Sequence, residues 1–136
     1  MSDVTDRRVS ASEWTVLPLW VEDDDRNVFP DELCEKNRRL APLTVRLVEA
    51  LGPVEASSFS SLAPGATIAK HRHHRPFATA SLCLGGDENA TIRVAGKSRR
   101  YANGGWIIFD YTQPHEVVNE GKEARVVLLV LLERRV

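Results

Sequence analysis

From Pro53 onward the chain is a succession of short β-rich segments with no helical period between them. In order, they read VEASSFSSL, ATIAKH, FATASLCL, ATIRVAG, GGWIIFD, HEVVN and ARVVLLVLLE. Turn signals separate them, namely Ala63-Pro64-Gly65, Gly85-Gly86-Asp87, Ala95-Gly96-Lys97, Asn103-Gly104-Gly105 and Asn119-Glu120-Gly121. Strands at such regular spacing, without helices between them, are typical of a sandwich or small barrel. We therefore predict a mainly β jelly roll with two short N-terminal helices.

The helical pattern lies between Asp31 and Leu51. Asp31 is suited to cap the first helix, and Pro42 is suited to the first turn of the second. An apolar face on the second helix is predicted for Leu43, Leu47, Val48 and Leu51. Before the helices, the segment EWTVLPLWV (13–21) alternates like a strand, and Pro18 indicates that this strand lies at a sheet edge.

The 136 residues are predicted to form one domain over residues 13–136, preceded by a flexible polar N-terminus at residues 1–12. A net charge of −1 gives no reason to expect a nucleic-acid or anionic-membrane partner. The apolar run VVLLVLL is much shorter than the roughly 20 residues of a membrane span. Cys34 and Cys83 match neither a disulfide framework nor a zinc spacing. A cytoplasmic protein is expected.

Three of the four histidines are clustered in the stretch GATIAKHRHHRPF, as His71, His73 and His74. The cluster could be a solvated basic loop. However, the fourth histidine, His115, follows another predicted strand, and strands distant in sequence can be neighbours in a jelly roll. His71 and His115 could therefore face one cavity, where imidazoles would bind iron, zinc, copper or nickel.

The spacing of these histidines resembles that of the cupin motifs. Gly65, His71 and His73 match the first motif, although the glutamate usual in that motif is absent. His115 and Asn119 resemble the second motif.

A closer resemblance, from about Trp14 to Arg134, is to the aspartyl/asparaginyl β-hydroxylase family. Its most specific parts are the Ser-x-Leu-x-Pro-Gly turn before His71, the Phe-Asp-x4-His-Glu block that contains His115, and the position of Arg125 after that block. Members of this family are iron(II)- and 2-oxoglutarate-dependent oxygenases on a double-stranded β-helix. The resemblance therefore implies a cupin-like oxygenase domain with Fe(II) and 2-oxoglutarate as cofactors.

Carried over residue by residue, the resemblance assigns His71 and His115 as iron ligands. Ser60 and Arg125 correspond to the residues that hold the distal carboxylate of 2-oxoglutarate. Arginine is a charged, bidentate carboxylate donor, and a charge at the start of an apolar strand is unfavourable unless it is paired. The alternative for Arg125 is a strand-end side chain exposed to water. The expected reaction is hydroxylation of a small, amino-acid-like substrate by O2.

The chain departs from the family where a strand usually carries an arginine and a histidine. Ala80 or Ser81 and Leu82 or Cys83 stand at those places, and Arg75 is the nearest basic residue that could substitute. A 2-oxoglutarate-independent metal cupin, either a three-histidine dioxygenase or an isomerase, is therefore an alternative. A non-catalytic small-molecule-binding cupin is a third.

His73 stands where the family usually has glycine. If the strand continues past His71, alternation brings His73 to the same side, where it would be a third metal ligand or only line the pocket. His74 is then expected at the surface. Asp110 either orients a ligand histidine or starts a turn. A homodimer is also open, with pairing through the edge of the Pro18 strand or of the C-terminal strand.

Overall fold

The computed structural model describes residues 2–3 and 13–133. Two helices and ten strands follow one another along these residues. They are β1 (Ser2–Asp3), β2 (Trp14–Trp20), α1 (Asp31–Leu40), α2 (Pro42–Ala50), β3 (Val54–Leu62), β4 (Thr67–His71), β5 (Phe77–Gly85), β6 (Ala90–Val94), β7 (Lys97–Arg100), β8 (Trp106–Asp110), β9 (His115–Asn119) and β10 (Arg125–Glu133). A single 3-10 turn covers Asp23–Asp25.

The strands form two antiparallel sheets that enclose a core. The six-stranded sheet has the order β1-β2-β3-β10-β5-β8, and the four-stranded sheet has the order β4-β9-β6-β7. Alternate residues such as Leu62, Cys83 and Val127 point between the sheets and pack against Ile92 of the smaller sheet. The prediction of a mainly β jelly roll with two short helices is therefore confirmed.

A second apolar cluster covers the outer face of the six-stranded sheet. Leu128 and Val130 of β10 pack there with Leu19, Ala80 and Val48 of α2. Val48 is fully buried, but Leu43 is 77% exposed. The apolar face predicted for α2 is thus only partly a core face, because this short helix contacts the sheet along a narrow line.

The start of α2 agrees with the sequence prediction, whereas the start of α1 does not. Pro42 is the first residue of α2, as expected. Asp31 is wrong as a cap: it is itself the first residue of α1, the N-cap is Pro30, and no side chain caps the helix. Asp31 still places a negative charge at the positive end of the helix dipole, and it lies 3.7 Å from Arg26.

Strand β2, which contains Pro18, is the last long strand on its side of the six-stranded sheet, and only the two-residue strand β1 lies beyond it among the described residues. Among the residues that the structure describes, the outer strand β1 pairs only with Thr15 and Val16. Farther along β2, helix α1 packs against the strand. The buried Asn37 amide of α1 donates to the Pro18 carbonyl (2.9 Å). The prediction of flexibility at residues 1–12 lies, apart from Ser2–Asp3, outside the described residues.

The C-terminal strand cannot offer a sheet edge, because β10 lies between β3 and β5. That predicted pairing edge is therefore wrong. Along residues 2–3 and 13–133, no helix has both the length and the apolar character that crossing a membrane requires.

Asn119 joins the turns that precede β4 and β10. Its fully buried amide donates to the carbonyls of Leu62 (3.0 Å), Ala63 (3.3 Å) and Glu123 (2.9 Å). Its Oδ1 accepts from the Gly121 backbone (3.0 Å). One side chain thus holds together the turn that precedes β4, which carries His71, and the turn that precedes β10, which carries Arg125.

Candidate metal and anion site

His71 and His115 meet at one end of the smaller sheet. His71 ends β4, His115 begins β9, and the two residues are direct partners across the antiparallel pair. Their ring centroids are 4.2 Å apart with the planes inclined by 60°. The predicted pair is therefore brought together by strand register rather than by a loop.

Backbone carbonyls orient both imidazoles. Nδ1 of His71 lies 2.9 Å from the Ala69 oxygen, and Nδ1 of His115 lies 2.8 Å from the Gln113 oxygen. Because a carbonyl only accepts, Nδ1 is the donor in each ring, and in the neutral imidazole Nε2 then carries the lone pair. This is the arrangement in which neutral histidines ligate metals.

Arg125 is buried in the same cavity as the histidine pair, with 2% of its surface exposed. Its guanidinium donates to the Tyr101 hydroxyl (3.1 Å) and to the Ser60 hydroxyl (3.3 Å). Its Nε is buried and has no hydrogen-bond partner within the described part of the chain. The alternative that Arg125 is a water-exposed strand end is wrong.

No carboxylate among residues 2–3 and 13–133 forms an ion pair with Arg125. A buried cation is strongly unfavourable without a counter-charge. The cavity is therefore electrostatically suited to an anionic ligand.

Ser60 connects Arg125 to Trp14. Its Oγ accepts from the Trp14 indole (2.8 Å) as well as from Arg125. With two donors on this oxygen, the single hydroxyl proton points elsewhere and is available to an acceptor. Sequence reasoning missed Trp14 and Tyr101 as site residues, because their roles arise from packing and no motif marks them.

The cavity that contains these groups is small, about 60 Å³. Its walls include Trp14, Ser60, Ile68, His71, Ser81, Ile92, Tyr101, Phe109, Tyr111, His115, Val117, Arg125, Val127 and Leu129. Ligand pockets commonly measure about 300–1,000 Å³. Binding of a ligand the size of a dicarboxylate therefore requires the walls to move apart.

Strand β5 contributes hydroxyls to this region and no cation. Ser81 lines the cavity, whereas Ala80 and Leu82 pack in the cluster on the outer face. The hydroxyls of Ser81 and Thr79 are buried and have no hydrogen-bond partner among the described residues. Of the residues that stand at the places of the missing basic pair, Ser81 therefore brings a hydroxyl to the cavity that could hydrogen-bond to a ligand.

Arg75 does not replace the missing charge. Its side chain is 45% exposed and lies 3.4 Å from Glu22. The guanidinium carbon stands 5.1 Å from the Phe77 ring centroid. Arg75 belongs to the surface around the site and does not line the cavity.

His73 does not join the histidine pair. Strand β4 ends at His71, so the alternation expected to align His73 stops there. Nδ1 of His73 accepts from the Arg75 backbone (3.0 Å), and Nε2 lies 3.6 Å from Glu22. Within the described part of the chain, no three His, Cys, Asp or Glu side chains are grouped to hold a metal ion.

Tyr111 separates His73 from the histidine pair. Its ring stacks on His73 at 5.1 Å and on His115 at 5.0 Å. His74 is exposed, as expected, and stacks on the outer side of His73 at 4.9 Å. The clustered histidines therefore divide between the cavity and the surface.

Asp110 starts the turn after β8. Its Oδ1 accepts from the backbone (2.9 Å) and the hydroxyl (2.7 Å) of Thr112. These two bonds favour the role of Asp110 in starting the turn over a role in orienting a ligand histidine.

A wider opening of about 370 Å³ adjoins the cavity and shares Trp14, His71 and Tyr111 with it. Glu22 lies on its wall, and burial raises the pKa of this carboxyl, against the opposing effect of His73. The opening gives His71, and through it the cavity, a route to solvent.

Two facing sheets with an inward imidazole pair define a cupin-type protein. The family model for aspartyl/asparaginyl β-hydroxylase matches residues 2–135, so the chain belongs to that family. The resemblance noted in the sequence is thereby confirmed, and the protein is a cupin-type, hydroxylase-like protein. Among curated proteins, none matches this chain.

Solved structures share the fold. A Cupin_2 domain of an XRE family transcriptional regulator from Enterobacter cloacae has a TM-score of 0.59 at 15% identity, over 90% of this chain and 99% of that one. The Cnp3 cupin domain from Schizosaccharomyces pombe has a TM-score of 0.53 at 18% identity, over 61% of this chain and 58% of that one.

A conserved protein of unknown function from Streptococcus pyogenes is 26% identical, with a TM-score of 0.50 over 60% of this chain and 66% of that one. The matches therefore span less than two thirds of the Streptococcus and Schizosaccharomyces chains.

Proposed function

We propose that this protein is an iron(II)- and 2-oxoglutarate-dependent hydroxylase that acts with O2 on a small, amino-acid-like substrate. The observation that carries the proposal is the buried Arg125, which has no counter-charge in the described residues and faces the same cavity as His71 and His115. A metal site and a carboxylate site thus adjoin each other.

The side chains fit these groups in chemical type. His71 and His115 would hold the metal through Nε2, with the backbone carbonyls keeping each Nδ1 protonated. Arg125 would receive the distal carboxylate of 2-oxoglutarate, and the Ser60 proton would donate to it. When bound, iron and 2-oxoglutarate supply the oxidising chemistry, which the protein lacks on its own.

The chain's own contribution is orientation and exclusion of water. Trp14 fixes the Ser60 oxygen, and Tyr101 fixes the guanidinium. Phe109 and Tyr111 pack against His115 and restrict its ring. Two imidazoles leave positions on a metal for small-molecule ligands.

A second candidate is a 2-oxoglutarate-independent metal cupin. The lack of a basic residue on β5 favours it, because Ser81, at one of the places where the family usually has its basic pair, lines the cavity with a hydroxyl instead. The small cavity also favours a ligand smaller than 2-oxoglutarate. A third candidate is a non-catalytic small-molecule-binding cupin, for which no metal is required.

Anaerobic titration separates these candidates. Iron(II) followed by 2-oxoglutarate should give the weak visible absorption band of a metal-chelated 2-oxo acid. Iron binding without that band would contradict the proposal and favour the second candidate. A protein that binds no divalent metal would leave only the third.

The proposal also covers the location of the protein, its domain bounds and its partners. We place the protein in the cytoplasm as one domain over residues 13–136, with neither a nucleic acid nor a membrane as its partner. The near-neutral net charge of −1 supports the last point, that neither a nucleic acid nor an anionic membrane is the partner.

A further inference from the structure

Ser81 has a buried hydroxyl that the fold itself does not use. The residue is 3% exposed and lines the cavity that also contains Arg125 and the histidine pair. Its Oγ has no hydrogen-bond partner among the described residues. A buried hydroxyl without a partner is unfavourable, and most buried side-chain oxygens in proteins have one. A ligand in the cavity would supply the missing acceptor.

Position distinguishes Ser81 from Thr79 on the same strand. The Thr79 hydroxyl is also buried and without a partner in the described part of the chain, yet Thr79 is not one of the walls of the cavity. A buried hydroxyl without a partner is therefore not sufficient to mark a ligand site. What singles out Ser81 is where its side chain lies between the other groups of the cavity.

The register of the six-stranded sheet gives that position. The Arg125 guanidinium reaches Ser60, which pairs with Val127 of β10. Ser81 pairs with Leu129, which is two residues farther along β10. Two residues of a strand span about 6.6 Å. The Ser81 side chain thus belongs to the next inward row of side chains beyond the row that the guanidinium reaches.

The histidine pair lies against the following row. Thr79 is the next inward residue of β5 beyond Ser81, and it pairs with Phe109. The Phe109 ring packs against His115, with the ring centroids 5.0 Å apart. Ser81 therefore lies between the row of the guanidinium and the row beside the histidines. A ligand that extends from the guanidinium to the histidine pair has to pass it.

The groups along this path are hydrogen-bond donors. The Tyr101 hydroxyl accepts from Arg125, so its own proton is available to an acceptor, as is the proton of Ser60. No aspartate or glutamate is among the described walls of the cavity. Donors along the path and metal-binding nitrogens at its end suit a ligand that has acidic oxygens at both ends.

We propose that Ser81 binds the 2-oxo acid end of 2-oxoglutarate and donates its hydroxyl proton to it. This inference rests on the proposed function, because it requires the acid held by Arg125 to extend to a metal at His71 and His115. Ser81 then contributes a neutral donor at one of the places where the family usually has its basic pair. A shorter diacid bound to the metal would use Ser81 without using Arg125.

Calorimetric titration of the Mn(II)-loaded protein with 2-oxoglutarate and with oxalate tests this role. Ser81→Ala should weaken the binding of both ligands about tenfold, which is the usual effect of losing a hydrogen bond to a charged group. Thr79→Val is the matched control, because it removes a buried hydroxyl from the same face of β5 that does not line the cavity. The control should change either affinity less than about twofold.

Thermal unfolding of the ligand-free variants separates binding from a structural effect. Neither substitution removes a hydrogen bond among the described residues, so both variants should unfold within about 2 °C of wild type. A much lower unfolding temperature for Ser81→Ala would show that its hydroxyl supports the fold, and would overturn the inference.

The binding results also distinguish this inference from the proposed function. If Ser81→Ala binds both ligands as tightly as wild type does, the inference is overturned and the proposed function stands. If wild type binds oxalate but not 2-oxoglutarate, and Ser81→Ala weakens oxalate, the role of Ser81 is supported and the proposed function is contradicted. A wild type that binds neither ligand overturns both.

Discussion

The rings of His71 and His115 lie with their centroids 4.2 Å apart because the two residues are direct partners across antiparallel strands. Neither ring depends on a long loop for its position. The carbonyls that fix their Nδ1 protons belong to Ala69 and Gln113, two residues before each histidine. The proposed metal site is therefore expected to be organised before any metal binds.

Replacing His71 or His115 by Ala is expected to lower the affinity for Co(II) roughly 100-fold, because a single imidazole remains. His73→Ala is the matched control and should change the affinity less than about threefold, because His73 faces Glu22 behind Tyr111. Isothermal titration calorimetry measures all three. A loss for His73→Ala as large as for His71→Ala would make His73 a ligand after all.

Arg125→Met is expected to abolish binding of 2-oxoglutarate while the ligand-free protein keeps its stability. The substitution removes a buried cation without a counter-charge in the described residues, and apolar replacement of buried charges is often neutral or stabilising by about 1–4 kcal/mol. Thermal unfolding with and without 2-oxoglutarate and Mn(II) measures both effects. Arg75→Met, at an exposed arginine, should leave the ligand-induced shift intact. A marked loss of stability in ligand-free Arg125→Met would argue for a structural cation.

Much of the architecture was predictable because strand alternation and turn residues are local signals. His71, His115, Ser60 and Arg125 were predictable because family spacing marks them, and the structure gathers all four around one cavity. His73 was not, since the end of β4 at His71 depends on tertiary packing.

Which strands lie at the sheet edges could also not be predicted from the sequence. Which strand lies at an edge follows from sheet order, and the apolar pattern of β10 would suit a central strand as well as a paired edge. Trp14 and Tyr101 were not predicted as site residues, because only folding brings them next to Ser60 and Arg125.

Asn119→Ala is expected to lower the free energy of unfolding by about 3 kcal/mol. The change leaves the buried carbonyl of Leu62 and the part-buried carbonyl of Glu123 without the amide donor. Urea denaturation measures the loss. Asn27→Ala, at an exposed asparagine, is the control and should stay within about 0.5 kcal/mol of wild type. Equal stability of the two variants would show that water replaces the amide.

The stability contribution of Glu22 is expected to depend on pH. Burial raises the pKa of this carboxyl above its ordinary value of 4.5, although His73 and Arg75 oppose the effect. The folded protein therefore binds the proton more tightly than the unfolded chain does. The contribution of Glu22 to stability is consequently full below about pH 4.5 and is lost as the pH rises through the folded pKa.

Glu22→Gln removes this titration, so the free energy of unfolding of the variant relative to wild type should increase between about pH 4 and about pH 7. Urea denaturation at both pH values measures it. Glu49→Gln on the exposed part of α2 controls for the loss of one negative charge. A relative stability of Glu22→Gln that falls with rising pH would mean that the contacts of Glu22 with Arg75 and His73 outweigh the effect of burial, and that the carboxylate fastens the loop after β4 to the 3-10 turn.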